Sequence, residues 1–361
     1  MTASRIALAA IVFAPLLCAG WTDGARAQLQ VPPSLRPEEA KPAAPPAKPA
    51  KPAAPKPATA KPAVTKPPES AKAAAVPGPE PDLAYGAFQR GYYLTAFNEA
   101  TKRINATGDR RAMTLLAELY ANGFGVARND VKAAEWYKLA ADRGDADAMF
   151  ALALFNISGR GGQNDRKEAI RLLAAAAKLG NTPATYDLGL LYLEGREFPQ
   201  DFARAAELFR TAAQAGSSEA MYALATLYKE GHGVPKDDAQ AARLLAMAAL
   251  ADNVDAQVEY GIALFNGTGV ARNEAAAARV LRRAALKGSP IAQNRLAQIL
   301  ADGRGVTADP VAAIKWHLIA KAGGLGDTSL DEFMTKQSAE TRAAGEAAAK
   351  PWIAVIALSR S

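Results

Sequence analysis

Cysteine is almost absent: Cys18 is the only one in 361 residues. It lies in an N-terminal run that reads as a cleavable leader, so the mature chain would hold no disulfide, thiolate metal ligand or cysteine nucleophile. Histidine is nearly as scarce. His232 and His317 stand 85 residues apart, and neither has a partner at metal-ligand spacing. We read His232 as a solvated loop residue and His317 as helix packing. No Ser-x-x-Lys, Ser-Asp-Asn or Lys-Thr-Gly occurs, which removes the serine-nucleophile pattern that uses them. Gly231-His232-Gly233 is followed by no Gly-Lys-Ser/Thr, so it is not a phosphate loop. Paired acids such as Asp237-Asp238 suit helix starts better than acid–base catalysis. The sequence therefore assigns no catalytic, cofactor-binding or metal residue, and hydrolase is the weakest of the function classes. Aromatic side chains make up 7% of the chain while apolar residues make up 50%. Alanine supplies much of the difference, which favours closely packed helices over a β-rich core.

The net charge of +7 is unevenly spread. Residues 1–27 carry two basic and one acidic side chain, and residues 28–80 carry eight basic against four acidic. The remainder is close to neutral, which argues against a nucleic-acid-binding stripe.

The N-terminus has the parts of a secretory signal. Arg5 supplies the positive start, Ile6 to Trp21 the apolar stretch, and Ala25-Arg26-Ala27 the small residues before a cut at Gln28. Leu17 stands where lipoprotein processing needs a small residue. The expectation for 1–27 is export, with the periplasm as destination; membrane anchoring by an uncleaved signal and secretion are the alternatives. No other segment approaches the ~20 apolar residues of a membrane span. Residues 28–80 are almost wholly Pro, Ala and Lys, with units such as Lys41-Pro42, Lys51-Pro52 and Lys61-Pro62. Proline removes amide donors and lysines repel, so we expect a disordered, extended tether. It would be either a spacer or a linker with weak attraction to anionic cell-wall polymers.

The rest follows one clock. Gly123, Gly159, Gly195, Gly231, Gly267 and Gly303 are 36 residues apart, and Gly144, Gly180, Gly216, Asp252, Gly288 and Gly324 follow each by 21. Alanines keep step: Ala112 through Ala292 eleven before each first glycine, Ala133 through Ala313 ten after it, Ala140 through Ala320 seventeen after it. Small residues at fixed places let helices cross closely. Leucine usually stands seven before the glycine, with Tyr260 the exception. Six after it stands Asn129, Asp165, Asp201, Asp237, Asn273 or Asp309, each a strong N-cap. Each unit is thus a first helix ended by glycine, a Gly-x-Gly-Val type loop, a capped second helix and a tight turn. A fixed period of this length means a solenoid. The fold class expected is all-α: a right-handed α/α superhelical solenoid of 36-residue helix-turn-helix repeats.

Unit one shows the pattern most fully: Leu116-Ala117-Glu118-Leu119-Tyr120-Ala121-Asn122-Gly123-Phe124-Gly125-Val126, then Ala133-Ala134-Glu135-Trp136-Tyr137, then Ala140-Ala141-Asp142-Arg143-Gly144. These residues resemble the Sel-one-like repeat family, a tetratricopeptide-type (TPR-like) helical repeat, here in a bacterial exported form. The resemblance covers 109–324 in six copies and weakens at Gly161-Gly162, Arg196-Glu197-Phe198 and Asp252. Residues 81–108, with Arg90-Gly91-Tyr92-Tyr93, look like a degenerate preceding unit. Residues 325–361 look like a polar capping helix and tail.

The resemblance implies a non-enzymatic scaffold or regulator that binds a protein partner, such as a membrane sensor or an envelope assembly protein. The alternative is a structural protein binding peptidoglycan through the basic tether. We treat the chain as a monomer without cofactor. On a helical wheel, the residues nine and five before each first glycine fall opposite the buried face. In the middle four units these are Phe150, Leu154, Tyr186, Leu190, Tyr222, Thr226, Val258 and Ile262, between polar ends at Thr114/Glu118 and Asn294/Gln298. With the first helices lining the inner curve, this strip would be either a partner groove or packing against the next repeat.

Overall fold

The computed structural model describes residues 82–162 and 164–358. The expectations for the leader (1–27), the tether (28–80) and the last three residues of the tail lie outside them. The chain divides into two units. One holds every helix from Leu83 onward; of the other, Val31–Asp82, only Asp82 is described.

Sixteen α-helices and one 3-10 turn make up the described body, which contains no strand. α1 (Leu83–Gln89) and α2 (Tyr93–Thr107) come first. Six hairpins follow: α3 (Arg110–Asn122) with α4 (Asp130–Asp142), α5 (Ala146–Ser158) with α6 (Arg166–Lys178), and α7 (Thr182–Glu194) with α8 (Phe202–Gln214). Next come α9 (Ser218–Glu230) with α10 (Asp238–Leu250), α11 (Val254–Asn266) with α12 (Glu274–Leu286), and α13 (Pro290–Asp302) with α14 (Pro310–Ala322). α15 (Thr328–Thr335) and α16 (Ala339–Leu358) close the chain. No described helix is long and apolar enough to cross a membrane.

Every helix in the six hairpins has 13 residues, because the same signals start and stop each one. The second helices begin at Asn129, Asp165, Asp201, Asp237, Asn273 and Asp309, whose side chains accept first-turn amides. The first helices end on glycines with φ of 68–78°. That left-handed cap costs glycine nothing. Both loops then close on the backbone. The amide of Asn129 donates to the Tyr120 carbonyl at 2.9 Å, and the amide of Asp145 to the carbonyl of Ala140 at 3.1 Å. Equivalent bonds recur through the stack. Asp252, in a glycine's place, keeps the turn at φ 72°. Asp tolerates this region better than most residues, and Lys287 and Arg283 hold its carboxylate at 2.6 and 3.0 Å.

The periodic alanines are the seams between helices. Ala133, Ala169, Ala277 and Ala313 have no exposed surface, nor do Ala140, Ala176, Ala248, Ala284 and Ala320. The position six before the cap is alanine in four repeats and glycine in two, Gly189 and Gly261. A β-carbon at Gly189 would sit 2.6 Å from the Phe209 ring, and one at Gly261 2.7 Å from Leu281. The smaller residue lets a larger partner seat at packing density.

The C-terminal end departs from the single polar cap expected. Two helices stand there, and α16 lies along α14. Gly345 meets Ile314, and Trp352 lies 5.6 Å from Trp316 between ring centres. Gly345, Ala349 and Trp352, the buried residues of α16, supply the reason: they cover the face that the last hairpin would leave open.

Candidate functional site

The second glycine of each Gly-x-Gly loop explains itself through the preceding repeat. A β-carbon at Gly233 would lie 2.2 Å from the carbonyl carbon of Phe202, and one at Gly269 1.9 Å from the carbonyl oxygen of Asp238. Each loop therefore rests on the first turn of the second helix before it. The residue just ahead of that glycine, or in one loop the residue in its place, bridges the two. Phe124 stacks on Tyr93 with centroids 4.6 Å apart. Arg160 clasps Asp130 at 2.8 and 3.1 Å and also donates to the Ala121 carbonyl at 2.9 Å. Glu197, where the other loops have glycine, pairs with Arg166. His232 stacks on Phe202 at 5.0 Å. Arg304 holds Glu274 at 2.6 Å.

The reading of His232 as a solvated loop residue is thus corrected: it is half-buried against Phe202, with Nδ1 3.0 Å from Glu230 Oε2. The bridge is aromatic, so no recurring charge pattern marks it in the sequence. His317 is 1% exposed, and its Nε2 lies 2.8 Å from Asp331. No group of three metal-ligating side chains occurs among the described residues.

The fifth loop differs. Thr268 holds the bridging position, and its short side chain leaves a cavity of about 190 Å³ lined by Lys229, Asp238, Leu245, Glu259, Ile262 and Thr268, among others. On the other side of Ile262 lies a larger cavity of about 540 Å³, walled by Phe265, Arg295, Gln298, Asp302, Leu330 and Phe333. The larger volume is in the range of ligand-binding clefts. Ile262 thus sits between two depressions, the smaller formed by α9, α10 and α11 and the larger by α11, α12, α13 and α15.

The eight expected strip residues separate on this geometry. Leu190, Thr226 and Val258 are buried at 6–9% exposure, Leu190 in the core of the middle repeats. Phe150, Leu154, Tyr186, Tyr222 and Ile262 are half-buried. Phe150 packs on the core of the first repeats, and Tyr186 and Tyr222 on that of the middle ones. Tyr186 tilts against Phe209 at 5.5 Å. Ile262 borders both cavities. At the C-terminal end the polar pair is engaged: Asn294 and Gln298 donate to Asp327 at 3.0 and 2.7 Å.

The first-helix row also carries acids in unfavourable settings. Burial pushes the Asp187 carboxyl up to about 7. Glu118 is raised by burial and by Asp147. Burial, with help from Glu259 and Asp255, raises the Tyr222 hydroxyl. Elsewhere the Arg160 clasp, aided by Arg128, lowers Asp130 to about 2.

A stack of hairpins with a lipped row of first helices defines an α/α repeat scaffold. The family model for the Sel1 repeat matches residues 110–145, 146–181, 182–217, 218–253, 254–289 and 290–325, so the chain belongs to the Sel1 repeat family. Such proteins are generally interaction scaffolds without catalysis. The Sel1 repeat protein of Oxalobacter formigenes is 29% identical with a TM-score of 0.60, covering 66% of this chain and 98% of that one. The antigen c5321 of uropathogenic Escherichia coli, described as a protective antigen with an SLR fold, is 27% identical at a TM-score of 0.50. That match covers 73% of this chain and 64% of c5321. No curated protein matches the chain.

Proposed function

We propose that this chain is a non-enzymatic scaffold or regulator of the bacterial cell envelope, capturing a partner protein on its row of first helices around Ile262. The observation that carries this reading is the pair of adjoining cavities on either side of Ile262. An apolar residue between two depressions, with aromatic side chains in reach, is the setting in which partner anchors seat. The family supports interaction over chemistry. The signal-like leader supports a periplasmic site of action, and a membrane sensor or envelope assembly protein is the kind of partner such a location offers.

A photo-reactive amino acid placed at Ile262, in cells, tests this. Crosslinking to one defined partner is expected there and not from Leu139, on the second-helix face, which is 41% exposed. Equal capture from both positions, or none from Ile262, refutes the surface. Recovery of the chain in the cytoplasm refutes the location.

A further inference from the structure

At two junctions between repeats, the same positions make the same kind of contact. At the first junction, Asp130 accepts two hydrogen bonds from Arg160 of the next loop, and Arg160 also donates to the Ala121 carbonyl. At the fifth junction, Glu274 takes Arg304 at 2.6 and 3.2 Å. Both carboxylates hold a local arginine as well, Arg128 at 3.1 Å and Arg272. Each acid therefore carries two guanidinium partners.

The fourth junction keeps the acid but neither of the two arginines. Asp238 stands 108 residues after Asp130, Lys229 108 after Ala121, and Thr268 108 after Arg160. The local cation of Asp238 is Lys236, 3.9 Å away, with a side chain 63% exposed. Lys229 turns its ammonium to Glu259 at 2.6 Å, so it does not serve Asp238. Threonine has no cation to offer. Between Asp238 and Thr268 lies the cavity of about 190 Å³, several times the ~30 Å³ share of a water molecule in the liquid.

We propose that this cavity receives an arginine side chain from the partner protein. Its guanidinium would sit on Asp238 and the Lys229 carbonyl, in the position that Arg160 holds in its own loop. The inference rests on the first-helix row being the binding surface, and it names one anchor of the partner. Arginine fits because its planar fork bonds a carboxylate bidentately while its carbon stem lies on apolar walls, here Ile262 and Leu245. Lysine offers only a point charge on a stem.

The full chain is titrated with acetyl-arginine amide and, separately, acetyl-lysine amide at low ionic strength, following the backbone amide signals of Thr268 and Gly269. Saturable shifts are expected with the arginine probe, at several-fold higher affinity than with the lysine probe. Asp238→Asn is expected to weaken binding about tenfold. Thr268→Arg supplies the missing bridge in cis; it is expected to abolish the shifts and raise Tm by about 1–3 °C. Equal response to both probes, no saturable response, or binding that survives Thr268→Arg overturns the proposal. If Thr268→Arg fails to fold, Asp238→Asn decides. Failure of the unmodified chain to bind the arginine probe, with crosslinking at Ile262 intact, sinks this inference alone, whereas absence of crosslinking at Ile262 sinks the binding surface beneath it.

Discussion

Asp187 stands half-buried on α7 with no hydrogen bond or ion pair among the described residues, and burial raises its carboxyl from 3.8 to about 7. Replacing it with asparagine keeps the shape and removes the ionisation. Each tenfold change in an acid constant is worth about 1.36 kcal/mol, so a fully buried carboxyl would cost on the order of 4 kcal/mol at high pH. Asp187 keeps some solvent contact, so we expect about 1–2 kcal/mol. The sign follows from linkage. Below about pH 4 the carboxyl is neutral in folded and unfolded chains alike, and Asp187→Asn changes little. Between about 4 and 7 the unfolded chain ionises first, so wild-type stability falls; above 7 the loss is complete. Urea unfolding at pH 4, 6 and 8 measures this. Asp187→Asn should match the wild type at pH 4 and exceed it by about 1–2 kcal/mol at pH 8. A gap that does not change with pH, or that favours the wild type at pH 8, refutes the role given to burial.

The loop contacts make a second prediction. Gly233→Ala, whose β-carbon would lie 2.2 Å from backbone at φ +70°, should cost several times more stability than Gly91→Ala, at φ +77° with nothing within 4 Å. About 1 kcal/mol is expected for Gly91→Ala and at least about 3 for Gly233→Ala, compared by thermal unfolding. The Asp130–Arg160 clasp contributes stability above pH 4 that is lost as pH falls through about 2, because Asp130 is held low. Arg160→Met should flatten that part of the acid unfolding profile, and an unchanged profile counts against the clasp. Mass spectrometry of the protein from cells should find an N-terminus at Gln28, and an intact Met1 contradicts the cleavable leader.

Much of the stack is legible because a repeat writes its signals six times. The glycines every 36 residues end the first helices, the Asn/Asp series caps the second, and the alanine columns are the buried seams. The caps of the first helices, Asp109, Asp145, Asn181, Ser217, Asn253 and Ser289, are written less uniformly, because acid, amide and hydroxyl share the task beside the turn residue. What a wheel does not give is the spacing between neighbouring first helices. Leu190 looks outward on its own helix yet is buried in a core cluster with the helices that follow. The loop bridges are hidden for a different reason. Phe124, Arg160, His232 and Arg304 share a position and a role but not a chemistry, and their partners lie some 30 residues back. The cavity at Thr268 is the same point in negative: a short side chain means little until its equivalents are seen to reach across.

The most direct measurement is the affinity of the captured partner for Ile262→Ala beside Leu139→Ala, whose side chain lies on a second helix and is 41% exposed, each read with its own Tm. Ile262→Ala should weaken binding about tenfold or more while the fold persists. Leu139→Ala should leave affinity within about twofold of the wild type. Equal affinities for the two variants would mean that the partner does not touch the row of first helices.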